Sequence, residues 1–328
     1  MDILYTFDDN YVPQAAASIL SVCENNTEER IVFHVIGKNI SDHNREQLTA
    51  MVHGKGQQIR WTEMNSFGEM FAFRYDTGSW DDIILARLIL DRTLPETMDR
   101  VLYLDGDTMV RSSLRDLWET DLTGYALGAV METTVTRSRK QMLGLADTDG
   151  YINSGVLYVN LKYWRENGVS GKLIRFYREN QDRIVAPDQD VLNTVLNGKI
   201  LFLPFSYNYC NTFTFYPYRA LRRIAAPVSH FPEEKEYRAW IRDPVIVHFL
   251  GEERPWRIGN RHEYTPEYMR YRAETPWSQV PLEDGWQKYF QWFYLFNRLI
   301  RPFPLLRYRI ITALIPLMLK RKSGKRKE

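Results

Sequence analysis

Asp105 and Asp107 have the spacing of a metal-binding pair. They follow an apolar run, residues 101–104, in the sequence VLYLDGDTM, which is typical of a buried strand that ends at the first acid. Because residues i and i+2 of an extended chain point to the same side, both carboxylates can approach one point. Two carboxylates so close would force one to keep a proton, whereas a divalent cation neutralises both. Their oxygen atoms favour Mg²⁺ or Mn²⁺, at the strand end where open α/β sheets bind ligands.

The acidic pair alone leaves other interpretations open. It could be a solvated turn with no ligand. A calcium loop is disfavoured because the apolar Met109 and Val110 follow, where further oxygen ligands would be needed. A phosphatase of the haloacid dehalogenase type also places two aspartates after an apolar strand, but it prefers Thr or Val at the position that Met109 occupies.

Polar residues lie beside other apolar runs of the chain, and each has a structural explanation as well as a functional one. His248 could be a buried core histidine, Asp188 a helix cap, and Asp8 a turn residue. Arg87 could join a helix to the surface, and Asn153 could belong to a turn. The segments concerned are TFDDNY at 6–11, ILARLIL at 84–90, INSGVLYVNL at 152–161, PDQD at 187–190 and VHFLGEERPW at 247–256.

The elements that must position these residues alternate between strands and helices in the first third of the chain. Strands are predicted at 2–7, 31–36, 58–64 and 100–105, with helices over 12–24, 41–52 and 83–91. This order predicts an α/β fold with a largely parallel sheet and helices on both faces. Later segments predict strands at 126–131, 154–161, 200–204 and 244–251, helices at 162–180 and 188–196, and a loop-rich aromatic stretch at 205–219.

Together, the motifs around the acidic pair resemble those of the family 8 retaining glycosyltransferases, which include bacterial lipopolysaccharide galactosyl- and glucosyltransferases. The resemblance extends in order and spacing from residue 1 to about residue 275. It implies a GT-A fold, which is a mixed, mostly parallel sheet flanked by helices. It also implies a UDP-sugar donor, UDP-galactose or UDP-glucose, and a glycan or glycolipid acceptor.

The resemblance also implies roles for individual residues. Mn²⁺, with Mg²⁺ as an alternative, would be held by Asp105, Asp107 and His248. Arg254, where the family usually has Lys, would pair with the diphosphate, with Gly251 beside it. The remaining assignments are Thr6, Asp8 and Asn10 for uridine, Arg87, Asn153, Ser154 and Asp188 for the donor sugar, and Gln189 beneath the anomeric carbon.

Retention of configuration needs either a covalent intermediate or attack from the face that the leaving group departs. Gln189 is a poor nucleophile, which favours same-face attack, but the adjacent Asp188 keeps the covalent route open. Glu132, in GAVMETT, stands where galactosyltransferase relatives carry Asp, so the donor sugar also stays open. The aromatic stretch 205–218 is expected to line the acceptor cleft, with a hydrophobic cluster as the alternative.

The C-terminal segment differs in charge from the rest of the chain. Of 43 Lys and Arg and 41 Asp and Glu residues, 11 and one respectively lie in residues 286–328, so the tail is basic and the body acidic. Its longest uncharged run, 310–319, is well short of the roughly 20 residues that span a bilayer. Basic and aromatic residues together suit a helix lying on anionic lipid, although a helix packed on the core is the alternative. We therefore expect a catalytic domain at 1–280 and a basic, helical, membrane-associating tail at 281–328.

The chain is expected to be cytoplasmic and peripheral on the inner face of the cell membrane. Its first 25 residues show no signal-peptide pattern, and Cys23 and Cys210 are too few for a disulfide framework. No nucleic-acid partner is expected. The competing functions are the phosphatase and a non-catalytic, membrane-tethered protein that binds nucleotide sugars or glycans.

Overall fold

The structure, a computed structural model, describes residues 1–325 except 66, 79 and 229, and describes only the backbone of residue 69 and residues 316–325. Seven strands form one sheet in the order β3-β2-β1-β4-β7-β6-β8, and β5 pairs with β9 in a separate ribbon. The strands are β1 (Asp2–Asp8), β2 (Val32–Lys38), β3 (Gln58–Glu63), β4 (Arg100–Leu104), β5 (Thr108–Val110), β6 (Leu127–Met131), β7 (Ile152–Asn160), β8 (Ile200–Leu203) and β9 (Ile246–His248).

The sheet is mixed but mostly parallel, as the sequence predicts. Strands β3, β2, β1 and β4 run in parallel, β7 runs against both of its neighbours, and β6 and β8 are parallel to each other. Successive residues of β1 face opposite sides, so Ile3 and Tyr5 enter one hydrophobic core and Leu4 enters the other. A strand buried on both faces explains why DILYTF reads as a continuous apolar run.

Helices cover both faces of the sheet. Ser41 caps the second helix, since its side chain accepts a hydrogen bond from the backbone N–H of Asn44. The helices are α1 (Val12–Asn25), α2 (Asp42–Gly54), α3 (Gly68–Phe71), α4 (Leu90–Thr93), α5 (Arg115–Trp118), α6 (Arg137–Met142), α7 (Leu161–Glu166), α8 (Val169–Glu179), α9 (Pro187–Val195), α10 (Thr212–Phe215), α11 (Tyr218–Ala225), α12 (Glu234–Arg242), α13 (Thr265–Ala273), α14 (Gln287–Ile300) and α15 (Pro304–Lys325).

Two predicted helices take a different form in the structure. The segment predicted as a helix at 83–91 is a 3₁₀ helix, Asp82–Leu88, followed by the single turn of α4. The helix predicted at 162–180 is divided into α7 and α8, because Gly168 adopts φ +56°, in the left-handed region that glycine enters at little cost. The aromatic stretch is more regular than expected, since it contains the 3₁₀ helix Phe205–Asn208 and α10.

The small ribbon joins the acidic pair to a distant part of the chain. Strand β5 starts directly after Asp107 and pairs antiparallel with β9, with Thr108 opposite His248. The backbone N–H of Phe249 donates to the carbonyl of Asp107 at 2.9 Å. This long-range pairing places the last residue of β9 beside the acids that follow β4.

The tail consists of α14 and α15, and its first part packs against the rest of the protein. Phe290 is 1% exposed, and the rings of Phe293 and Phe215 have centroids 5.7 Å apart. The buried Arg307 donates a hydrogen bond to the Tyr216 hydroxyl at 2.7 Å. The alternative of a helix packed on the core therefore holds for one side of these helices among the described residues, and the other side faces solvent.

Candidate active site

Asp105, Asp107 and His248 converge at the carboxyl edge of the sheet. His248 Nε2 lies 3.2 Å from Asp107 Oδ1 and 3.7 Å from Asp105 Oδ2. One ligand atom from each residue can be chosen so that all lie within 4.8 Å of one another. Asp107 and His248 are 7% and 2% exposed, while Asp105 is partly open. Two carboxylates and an imidazole with this spacing form a candidate site for a divalent metal ion.

Gly155, on β7, makes room for this cluster. A Cβ atom at position 155 would lie 2.1 Å from His248 Cε1 and 2.9 Å from Asp105 Oδ2. The carbonyl of Gly155 also accepts a hydrogen bond from the backbone N–H of Asp105 at 2.8 Å. Only glycine therefore allows β7 to pass so close to the acid and the imidazole.

The pKa values of the two carboxyl groups shift in opposite directions, as expected of like charges that share a buried site. Burial and the neighbouring Asp107 raise the pKa of Asp105, although Arg87 opposes them. Burial also acts to raise the pKa of Asp107, but His248 and Arg254 outweigh it and hold that pKa below its ordinary value. A divalent cation would relieve the repulsion between the acids, so the electrostatics fit the donor set.

Arg87 connects the acidic pair to the start of α9. Its side chain is 9% exposed and bonds to Asp105 Oδ1 at 2.8 Å and to the carboxylate of Asp188. It also donates to Ser154 Oγ at 3.3 Å. The structure thus brings together three of the residues assigned to the donor sugar, next to the candidate metal site.

Gln189 lies in the first turn of α9, beside β7. Its Oε1 accepts a hydrogen bond from the backbone N–H of Ser154 at 3.0 Å. Asp190, which the sequence reasoning missed, fixes this turn, since its buried carboxylate accepts from the backbone N–H groups of Val185 and Ala186. The Tyr151 hydroxyl donates to the same carboxylate at 2.6 Å.

Asn208, for which no sequence pattern suggested a role, joins Asn153 to His248. Asn153 Oδ1 lies 2.9 Å from Asn208 Nδ2, and Asn208 Oδ1 lies 2.9 Å from His248 Nδ1. Asn208 is 2% exposed and ends the 3₁₀ helix within the aromatic stretch.

The residues assigned to uridine lie at the end of β1, next to β4. The Thr6 hydroxyl is 3.1 Å from the Tyr103 hydroxyl, which in turn donates to Asp105 Oδ1 at 2.5 Å. Asp8 caps the short 3₁₀ helix Asp9–Tyr11, and Asn10 is exposed within that helix. Tyr103 was missed, although its spacing of two residues from Asp105 in a strand would have placed it on the same face.

Arg254 reaches the acidic pair from the loop after β9. Its Nη2 donates to Asp107 Oδ2 at 3.2 Å, and its guanidinium lies 5.9 Å from the centroid of the Tyr11 ring. Gly251 adopts φ +72° in the turn that brings this loop back over the site. The structure therefore places a fixed positive charge beside the candidate metal site.

The expectation that the aromatic stretch offers rings to an acceptor sugar is wrong for most of its members. Rings packed inside the core cannot stack on a sugar, and the rings of Phe205 and Phe213 lie 4.9 Å apart within it. The aromatic residues that are less than 10% exposed are Phe205, Tyr209, Phe213, Tyr216 and Tyr218.

Glu132 directly follows β6. Its Oε1 accepts hydrogen bonds from the backbone N–H and the hydroxyl of Thr134.

A sequence model described as glycosyl transferase family 8 matches residues 2–258, which is most of the chain. The chain belongs to this family. General stress protein A of Bacillus subtilis (strain 168) is 28% identical over 284 residues, covering 85% of this chain and 96% of that protein. A lipopolysaccharide 1,2-glucosyltransferase of Escherichia coli (strain K12) is 25% identical over 288 residues, covering 87% of this chain and 81% of that enzyme.

Among solved structures, the galactosyltransferase LgtC in complex with donor and acceptor sugar analogues is similar in fold, with a TM-score of 0.71. It is 27% identical, and the match covers 88% of this chain and 99% of that one. The predictions of a GT-A fold and of a family 8 glycosyltransferase are thereby confirmed. The phosphatase alternative is not supported, because the family match includes the acidic pair.

Proposed function

We propose that this family 8 glycosyltransferase moves a hexose from UDP-galactose or UDP-glucose to a hydroxyl group of a glycan or glycolipid, with retention of the anomeric configuration. The single observation that carries the proposal is the contact between the candidate metal site and the cluster of Arg87, Ser154 and Asp188. One cluster suits a diphosphate and the other suits sugar hydroxyls. A nucleotide sugar is a ligand that carries both groups side by side.

The acidic pair and His248 would hold Mn²⁺, or Mg²⁺, because their donor atoms match the preference of these ions. When bound, the ion would supply positive charge to the diphosphate as the leaving group forms. Arg254, already beside Asp107, would bind a diphosphate oxygen through its guanidinium. Thr6, Asp8 and Asn10 would hold uridine at the end of β1, and Gly251 would let the loop close over the phosphates.

The donor sugar would lie between the metal site and α9. Arg87, Asn153, Ser154 and Asp188 offer donors and acceptors to its hydroxyls, and Gln189 would lie beneath the anomeric carbon. In the reaction, the bond from this carbon to the phosphate oxygen breaks and a bond to the acceptor oxygen forms. The acceptor proton passes to the departing phosphate oxygen, so no side-chain base is required.

The pairing of Asp188 bears on the choice between mechanisms. Its carboxylate is 5% exposed and engaged by the guanidinium of Arg87. A paired and buried carboxylate is a weaker nucleophile than a free one, because attack on the sugar would have to break that pair. This supports attack of the acceptor from the same face rather than a covalent intermediate on Asp188. Mass spectrometry of Asp188→Asn and Gln189→Ala during turnover tests it, and a sugar adduct trapped in Gln189→Ala but not in Asp188→Asn would contradict it.

The main test of the proposal is hydrolysis of a panel of UDP-sugars in the absence of acceptor. Hydrolysis of UDP-galactose or UDP-glucose that requires Mn²⁺ or Mg²⁺ is expected, together with tight binding of UDP in the presence of the ion. The relatives include a glucosyltransferase and a galactosyltransferase, so the panel also decides which sugar is used. Absence of both hydrolysis and metal-dependent UDP binding would reject the proposal and would favour a non-catalytic protein.

We further propose that residues 281–328 attach the enzyme to the inner face of the cell membrane from the cytoplasm, beside a lipid-linked acceptor. Apolar side chains on the outer side of the tail are open to solvent, with Trp292 71%, Leu299 68% and Phe303 59% exposed. Arg298 and Arg301 lie close to them in sequence and suit anionic headgroups. Among the described residues, no helix combines the length and the apolar character that crossing a bilayer requires. The expected mode is therefore a helix lying in the lipid interface.

A further inference from the structure

We propose that Asn208 is a positioning residue that fixes the imidazole of His248 for metal binding and couples it to Asn153 on the side of the donor sugar. This inference rests on the proposed function, because it assigns Asn208 a part in metal and donor binding. Asn208 lies 40 residues before His248 in the sequence and bonds to it within the protein interior. Its side-chain hydrogen bonds go to His248 and Asn153 and not to the acids, so its effect on the metal would pass through the imidazole.

The direction of each hydrogen bond in this chain follows from one backbone group. The N–H of Gly155 donates to Asn153 Oδ1 at 2.9 Å, so this atom must be the amide oxygen. Asn208 approaches the same oxygen at 2.9 Å and therefore presents its NH₂ group to it. The carbonyl oxygen of Asn208 then faces His248 Nδ1 at 2.9 Å, and Nδ1 must carry a hydrogen to bond to it. Nε2 is the nitrogen that remains for the acidic pair.

The position of the ring hydrogen matters because a histidine binds a metal through a ring nitrogen that carries no hydrogen. A neutral imidazole with its hydrogen on Nε2 would present a donor to the ion and could not ligate it. By accepting from Nδ1, Asn208 excludes that tautomer. Gly155 restrains the ring itself, because its Cα packs so closely that an added Cβ would overlap the imidazole. Position and tautomer are thus set by two different residues.

The same amide also extends to the sugar side of the site. The NH₂ group of Asn208 holds the oxygen of Asn153, which precedes the Ser154 that bonds to Arg87 and Gln189. A change at Asn208 should therefore affect two measurable quantities, which are metal affinity through His248 and donor affinity through Asn153.

The first experiment removes both hydrogen bonds with a side chain of similar size, Asn208→Leu. Binding of Mn²⁺ alone to the full-length protein is measured by the electron paramagnetic resonance signal of the free ion, without nucleotide. We expect the Kd for Mn²⁺ to rise by about 10- to 100-fold, the usual cost of losing a partner of a metal-ligating histidine. Asn26→Leu is the matched control, since Asn26 is 3% exposed and its side chain bonds to the backbone of Val22 and Leu114, away from the site. The Kd of this variant for Mn²⁺ should equal that of the parent.

The second experiment separates the two hydrogen bonds with Asn208→Asp. A carboxylate still accepts from His248 Nδ1, as in the common carboxylate–histidine–metal arrangement, so Mn²⁺ affinity should be kept or increased. It cannot donate to Asn153, so the KM for the UDP-sugar should rise by roughly tenfold through the loss of one buried hydrogen bond. Nitrogen NMR of the Mg²⁺-loaded parent protein should show the hydrogen of the His248 ring on Nδ1.

The outcomes separate this inference from the proposed function. A parent protein that neither binds Mn²⁺ nor hydrolyses UDP-sugars in a metal-dependent way would reject both. A parent that binds Mn²⁺ while Asn208→Leu binds it equally well would reject the role of Asn208 alone, and so would equal losses in Asn208→Leu and Asn26→Leu. If circular dichroism shows that Asn208→Leu does not fold, Asn208→Asp decides, and an unchanged KM together with hydrogen on Nε2 in the parent would overturn the inference.

Discussion

The candidate active site at the carboxyl edge of the sheet, which we call the donor edge, and the tail of the protein are built in opposite ways. At the donor edge, Asp107, Arg87 and His248 are nearly buried, and each is held by other side chains before any ligand arrives. On the tail, Trp292 and Leu299 are mostly exposed. Under the proposed function, the donor edge would act by preorganisation, whereas the tail would act through a surface that acquires its partner only on binding. Changes in one region should therefore leave the measured property of the other intact.

The largest expected effect is that of Asp107→Asn. The substitution removes one charged ligand from the candidate metal site and leaves Arg254 without its acid partner. We expect kcat/KM for UDP-sugar hydrolysis to fall by about 10³-fold or more, since the bound ion stabilises the transition state by several kcal/mol. Binding to anionic vesicles should be unchanged and serves as the control. Activity that survives without dependence on Mn²⁺ would contradict the assignment of Asp107.

The next prediction concerns His262, which lies between β9 and α13 in a loop that contacts the tail. The loop around it meets α14, where the backbone N–H of Arg261 donates to the Tyr294 hydroxyl at 2.6 Å. Burial lowers the pKa of His262 from 6.5 to about 4. Between these values the unfolded chain takes up a proton that the folded protein does not, so this contribution to stability is complete above pH 6.5 and is lost as the pH falls towards 4.

The expected loss is up to about 3 kcal/mol in the free energy of unfolding, at 1.36 kcal/mol per pKa unit. Urea denaturation of the parent protein and of His262→Gln across this pH range measures it, because the difference between the two removes the titration of all other groups. The variant should lose less stability on acidification than the parent. Parallel curves for the two proteins would show that His262 titrates normally in the folded state.

Arg87→Lys is expected to have a smaller effect. The guanidinium of Arg87 reaches Asp105 and Asp188 at once, whereas an ammonium is a point charge that cannot bridge both in the same way. We expect kcat/KM to fall by roughly thirtyfold, the equivalent of about 2 kcal/mol for one lost hydrogen bond between charged groups. The measurement is UDP-sugar hydrolysis in saturating Mn²⁺.

Arg111→Lys is the matched control for that variant. Arg111 also bridges two acids, Asp243 and Glu267, each at 2.8 Å, but it takes no part in the candidate site. Its replacement should change kcat/KM by less than about twofold, because a partly exposed ion pair contributes little. A similar loss in both variants would mean that Arg87 acts only through general stability.

The sequence predicted the parts of the fold and site that depend on local patterns. The acidic pair was found because two acids two residues apart follow an apolar strand, although they lie in the turn between β4 and β5 and not in the strand itself. The parallel half of the sheet followed from the alternation of strand and helix patterns. His248 came only from a resemblance to a known family, because its position depends on pairing between β5 and β9, which are far apart in the chain. No local pattern reports such a pairing.

Other features had no local signal at all. Asn208 is one amide in a stretch of aromatic residues, and nothing in its spacing points to an imidazole 40 residues away. The aromatic rings of 205–218 were misassigned because composition cannot distinguish rings that line a cleft from rings that fill a core. Gly168 could not be read as a break either, since a glycine within a helix costs only about 1 kcal/mol and is often tolerated.

The smallest expected effect concerns the tail and tests the other side of the comparison. Leu299→Glu places a charge on the exposed outer side of α14, where the parent side chain is 68% exposed. Removal of one leucine from the lipid interface should weaken binding to anionic vesicles by roughly tenfold, since burial of such a side chain contributes about 1.5 kcal/mol or more. UDP-sugar hydrolysis in solution should be unaffected. A point substitution is preferable to truncation at residue 285, because truncation would also remove Phe290 and Arg307 from the core.

Met142→Glu is the control for this measurement, since Met142 is an apolar side chain on the body of the protein that is 51% exposed. If the tail is the membrane-binding surface, Met142→Glu binds vesicles as tightly as the parent, whereas Leu299→Glu binds them more weakly. The remaining binding of Leu299→Glu should also decrease with added salt, because the basic residues of the tail still attract anionic lipid over a Debye length of about 10 Å at 0.1 M salt. Equal binding by all three proteins, or binding that ignores both salt and lipid charge, would show that the exposed side of α14 meets a different partner.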